Sequence, residues 1–118
     1  MAKILEQDRE RPEELQEVVR RLVDGLQPEQ IYLFGSYARR TQVSGQSDID
    51  LLVIVPDSDL PRHQREARSY DTLWGLTMPV DLVVLTRAEF NRTSRVKTSL
   101  ASTARDQGVL LYERMPLI

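Results

Sequence analysis

Along the chain, Leu15, Val18, Val19, Leu22, Val23 and Leu26 recur at three- and four-residue spacing, which predicts a helix with one face in the core. Pro12 suits its first turn, Glu13 and Glu14 complement the positive end of its dipole, Gly25 sits near its end, and Gln27-Pro28-Glu29 breaks it. Gln30 to Phe34 is a short β-rich run and reads as a first strand. After Gly35, with Ser36 as a cap, a short helix is expected from Tyr37 to about Thr41, then a loop from Gln42 to Gln46. A second strand over Asp48 to Val55 alternates. Asp48, Asp50, Leu52 and Ile54 fall on one face and Ile49, Leu51, Val53 and Val55 on the other. Both faces are apolar beyond Asp50, so the strand should be covered on both sides.

Pro56 to Asp59 reads as a turn, and a helix follows from Leu60 or Pro61 to about Leu76, with Ala67, Tyr70, Leu73 and Trp74 as its inner stripe. These aromatics are expected in the core rather than as a platform for stacked bases, and His63 is expected at the surface. Val80 to Leu85 reads as a third strand. Thr86 with Glu89 three residues later forms a capping box. A last helix near Ser99 to Gln107, carrying Leu100, Ala101 and Ala104, stops at Gly108 before a fourth strand, Val109 to Tyr112.

With 118 residues the chain reads as one domain over 13–113, preceded by a loose arm, 1–12, and followed by a short apolar tail, 114–118. No run approaches the ~20 apolar residues of a membrane span. The first residues lack the apolar region of a secretory signal and there is no cysteine, so a cytoplasmic location is the expectation. The formal net charge of -2 disfavours direct binding along a nucleic-acid backbone, which needs a surplus of basic groups on one face.

Three aspartates interrupt otherwise apolar strands: Asp48, Asp50 and Asp81. A carboxylate in such a setting is costly unless paired, hydrogen-bonded or bound to metal. Asp57 and Asp59 share the two-residue spacing of Asp48 and Asp50 and sit in a turn, so the spacing alone says little. The Gly35-Ser36 turn just upstream changes its weight, because backbone amides at a helix start attract anions while paired carboxylates attract hard cations. The set has the parts of a two-metal phosphoryl or nucleotidyl transfer site. There is no P-loop lysine motif.

Gly35-Ser36, eleven intervening residues, Asp48-Ile49-Asp50 and a later strand aspartate, Asp81, together resemble the DNA polymerase β-type nucleotidyltransferase superfamily. Within it, the short form Gly35-Ser36-Tyr37-Ala38-Arg39 followed by Ser47 to Val53 is similar to the minimal nucleotidyltransferases, whose usual partners are HEPN-domain proteins. The resemblance spans about residues 13 to 113. It implies an α/β fold with a small mixed sheet of three to four strands flanked by helices, and transfer of a nucleoside monophosphate from an NTP, here ATP, with release of pyrophosphate. It also implies that Gly35 and Ser36, with Arg39, bind the triphosphate, that Asp48 and Asp50 hold two Mg²⁺ ions, and that Asp81 ligates metal or assists the attacking hydroxyl. Arg40 stands where the family often has glycine.

Larger relatives carry extra domains for their acceptor, and a chain of this length is expected to have its acceptor site completed by a partner. The minimal relatives are antitoxins of HEPN ribonuclease toxins, which they neutralise by adding AMP to a tyrosine or by binding. That is the expected role. The alternatives are an aminoglycoside-type nucleotidyltransferase with its pocket at a homodimer interface, and a non-catalytic toxin-binding module.

Overall fold

Burial in Ile49–Val55 follows the alternation read from the sequence: Ile49, Leu51, Val53 and Val55 enter one apolar cluster, Leu52 and Ile54 another. This strand is therefore covered on both faces and lies inside the sheet. The computed structural model describes residues 2–4, 13–35 and 49–114. The short helix expected at Tyr37 to Thr41, the loop Gln42 to Gln46 and the tail beyond Arg114 fall outside them.

The strands are β1 (Ala2–Ile4), β2 (Gln30–Phe34), β3 (Ile49–Val55), β4 (Val80–Thr86) and β5 (Val109–Arg114); the helices are α1 (Glu13–Leu26), α2 (Arg62–Asp71), α3 (Arg87–Thr93) and α4 (Leu100–Gln107). They form a mixed α/β fold with one sheet in the order β1-β5-β2-β3-β4. Among the described residues only β3 and β4 run parallel, joined by the crossover helix α2; the other pairs are antiparallel. The sheet has five strands among the described residues, one more than expected. The extra strand comes from the segment read as a loose arm, since Ala2–Ile4 pairs with Tyr112 to Arg114 along β5.

On one face α1 lays down Leu15, Val18, Val19 and Leu22, all fully buried, each worth about 1.5–3 kcal/mol of burial. It ends at Leu26, just before Gln27-Pro28-Glu29, as expected. Gly25 remains helical, and Gln27 takes the left-handed conformation (φ 49°) and donates its N–H to the Val23 carbonyl at 3.0 Å. Gly25 permits close approach, because a Cβ there would sit 2.6 Å from Thr72 Cγ2. On the other face α3 and α4 pack Phe90, Ala101 and Ala104 over Leu52, Ile54 and Leu85. The capping box at Thr86 and Glu89 is formed in full, and the Phe90 ring stacks on Tyr32 with centroids 6.2 Å apart.

Helix α2 corrects the sequence reading most. It ends at Asp71, and the stripe expected inside is largely outside: Ala67 is exposed, Tyr70 is 42% exposed and Trp74 85% exposed, with only Leu73 buried. The inward positions are Arg65 and Ser69. Arg65 is tolerated there because its donors are used. Nε bonds the Leu60 carbonyl at 3.0 Å, Nη1 the Val84 carbonyl at 2.9 Å, and both Nη atoms grip Glu89 at 2.7 and 2.9 Å. Ser69 returns its hydroxyl to the Arg65 carbonyl at 2.7 Å. His63 is exposed, as expected. Among the described residues no helix is long and apolar enough to cross a membrane.

Candidate active site

β2 ends where β3 and β4 begin, and this sets three side chains in a row. Phe34 is the antiparallel partner of Asp50, and Asp50 is the parallel partner of Asp81. Residues in register on adjacent strands point to the same face, about 4.8 Å apart across the sheet. Asp50 and Asp81 therefore form a carboxylate pair beside an aromatic ring. The row lies at the rim of the cluster covered by α3 and α4, so Asp50 is half-buried and Asp81 exposed.

Immediately after Phe34 the chain turns at Gly35, whose φ is +78°, a conformation costly for residues with a Cβ. A second constraint acts at the same place. A Cβ on residue 35 would lie 2.5 Å from Asp50 Oδ2. The positive φ favours glycine, and the missing Cβ also leaves room for the Asp50 carboxylate, which a side chain at residue 35 would push aside. Of the residues singled out in the sequence, the structure brings Gly35, Asp50 and Asp81 together. Ser36, Arg39 and Asp48 lie outside the described residues. Among the described residues no group of three or more His, Cys, Asp or Glu side chains converges as a metal site; Asp50 and Asp81 are a pair. As hard oxygen donors on adjacent strands, they fit a divalent cation such as Mg²⁺.

Two cavities elsewhere lack this row. One, of about 210 Å³, lies at the C-terminal ends of the parallel strands and is lined by Val55, Ser58, Arg65 and Arg68 among others. Open parallel sheets commonly bind ligands at that end; here the carboxylates are at the opposite one. The other, of about 440 Å³, lies on the α1 side beside the start of β4, with Val18, Tyr70, Trp74, Leu76 and Val80 in its wall.

The sequence reading missed the side chains that close the outer edge of β4. Tyr70 Oη accepts from the Leu82 N–H at 2.8 Å and Glu66 Oε2 from the Val84 N–H at 3.1 Å, while Arg65 donates to the Val84 carbonyl. Counting back from Leu73 by fours reaches Ser69 and Arg65, a signal of the true inner face that the hydrophobicity of Tyr70 and Trp74 masked. On the covered face, burial pushes the Tyr32 phenol up, against the opposing charge of Arg87. Glu89 is held down at about 2 by its hydrogen bond to Arg65, against the cost of its burial and with help from Thr86.

The nucleotidyltransferase domain family profile matches residues 12–106. The chain belongs to that family. Nucleotidyl transfer is accordingly the chemistry to which this domain belongs, and the pair Asp50 and Asp81 sits where its strands start. A solved structure described as a candidate nucleotidyltransferase, from Sulfolobus solfataricus, superposes with a TM-score of 0.60 at 22% identity, covering 90% of this chain and 86% of that one. It bears out the nucleotidyltransferase fold. A second structure of the same description is 20% identical over 89% of this chain and 100% of the other, with a TM-score of 0.49. No curated protein matches the sequence.

Proposed function

We propose that this nucleotidyltransferase domain is the antitoxin of a HEPN ribonuclease toxin and transfers AMP from ATP to a toxin hydroxyl, a tyrosine being the favoured acceptor. The observation that carries the catalytic part is the register of Asp50 with Asp81 against the glycine turn at Gly35. The acceptor is supported by the short Gly35 to Arg39 motif and its resemblance to the minimal nucleotidyltransferases.

In this reading the turn at Gly35, with Ser36 and Arg39, receives the triphosphate, and Asp48, Asp50 and Asp81 hold Mg²⁺. When bound, the metal supplies neutralisation of charge at the α-phosphate and on the departing pyrophosphate. The acceptor oxygen attacks the α-phosphorus, the bond from that phosphorus to the bridging oxygen breaks, and pyrophosphate leaves. The hydroxyl proton passes to an Asp81 oxygen. A tyrosine hydroxyl, with a reference pKa of ~10, gains from such a base at neutral pH. The exposure of Asp81 leaves it open to a side chain brought by another protein.

The test is intact-mass measurement of both proteins after incubation of the chain with ATP, Mg²⁺ and its HEPN partner. One added AMP on the partner is expected, lost with Asp50→Asn or Asp81→Asn while the melting temperature holds. A stable complex with unchanged masses would leave only the binding role. Transfer that survives both substitutions would refute the assignment of the pair.

A further inference from the structure

Asp81 stands on a strand at the border of the sheet, second from that strand's start. Its backbone faces β3 on one side only. The outward groups of β4 belong to Leu82 and Val84, and α2 meets them in step. Four residues of helix rise about 6 Å and two residues of strand about 6.6 Å, so Glu66 reaches Val84 while Tyr70 reaches Leu82. Near Val84 the attachment is redundant, since Arg65 also bonds the Val84 carbonyl and clamps Glu89. Near Asp81, the bond given by α2 is that of the Tyr70 hydroxyl, which accepts the N–H of the Asp81–Leu82 peptide at 2.8 Å. Tyr70 is 42% exposed, so its apolar surface is only partly covered and the hydroxyl bond adds a second hold on the side chain.

We infer that Tyr70 is a positioning residue for Asp81: its hydroxyl holds the Asp81–Leu82 peptide against α2 and so fixes the height of the Asp81 carboxylate opposite Asp50. This rests on the reading of Asp50 and Asp81 as the cation-holding pair. Two carboxylates chelate a small cation with little tolerance for displacement. An outer partner that orients a ligand is typically worth 10- to 100-fold in metal affinity. Because Tyr70 acts through a peptide group, the lower end of that range applies.

The experiment compares Mn²⁺ binding to the full chain, with and without ATP, in the wild type, in Tyr70→Phe and in a protein with O-methyltyrosine at position 70. Exchange of the Leu82 amide proton is followed in each. Phenylalanine keeps the ring and removes the acceptor; the methyl ether keeps the acceptor oxygen and replaces the hydroxyl proton with a methyl group. Tyr70→Phe should weaken Mn²⁺ binding about tenfold and speed exchange at Leu82, and the methyl ether should restore both. Trp74→Ala, on the same surface, should leave both at wild-type values. A purely structural role would lower the melting temperature of Tyr70→Phe without changing Mn²⁺ affinity, and that result would overturn the inference. So would unchanged Leu82 exchange. A wild type that binds no Mn²⁺ would remove the Asp50–Asp81 reading and the inference with it, whereas wild-type binding matched by Tyr70→Phe removes the inference alone.

Discussion

Glu89→Gln isolates one charge. The substituted amide can still accept from the Thr86 N–H, preserving the capping box geometry, but it offers the Arg65 guanidinium no negative partner. Arg65 is 8% exposed on its side chain and Glu89 30%, so the guanidinium is left nearly buried and uncompensated. In the wild type the hydrogen bond from Arg65, with those from Thr86 and against the cost of burial, lowers the Glu89 carboxyl from 4.5 to about 2, equivalent to about 3 kcal/mol of preference for the ionised form. Solvent reaches the carboxylate, and screening brings the expected contribution to about 2 kcal/mol. The sign follows from a folded value below the unfolded one. The stabilisation is complete above the unfolded value of 4.5 and is lost as pH falls from there through about 2. Urea unfolding of the two proteins near neutral pH should differ by about 2 kcal/mol. The gap should shrink by more than half by about pH 3. A double-mutant cycle with Arg65→Met should return most of the effect as coupling. A gap below about 0.5 kcal/mol near neutral pH, or one that stays constant down to about pH 2, would refute the reasoning.

Gly35→Ala places a Cβ at positive φ and 2.5 Å from Asp50 Oδ2; the backbone term alone costs about 1–2 kcal/mol, and the displaced carboxylate should lose metal-dependent transfer. Thermal unfolding and AMP transfer read the two effects, and an active, undestabilised variant would contradict the contact. Trp74→Ala, at a residue that is 85% exposed, should change unfolding free energy by no more than about 0.5 kcal/mol; a loss above about 2 kcal/mol would mean that the ring is packed after all.

Where the hydrophobic period was strong, the fold was legible. Glu13–Leu26 and Gln30–Phe34 stand where expected, and the alternation in Ile49–Val55 assigned every apolar side chain to its face. The α2 segment was misread because Ala67, Tyr70 and Trp74 are apolar by type, while Arg65 becomes suitable for burial only through acceptors contributed by Leu60, Val84 and Glu89, and Ser69 through the Arg65 carbonyl. Val84 and Glu89 are distant in sequence, and no local pattern announces their bonds to Arg65. The three residues of β1 are too few to carry a period, and their pairing depends on β5. Asp50 and Asp81 could be named from their strands as candidates. Their facing positions could not, because the slide of β4 along β3 is set by how the crossover helix docks.

That docking has a consequence for how this stretch of chain can vary. Glu66 and Tyr70 meet Val84 and Leu82 because one helical repeat nearly equals two steps of strand. The interval behaves as a ruler. One residue inserted between Glu66 and Tyr70 would swing Tyr70 by about 100° around the helix and carry it away from the strand, whereas many replacements at exposed Ala67 or Arg68 would leave the measure intact. Change between these two positions is therefore expected in residue type and not in length.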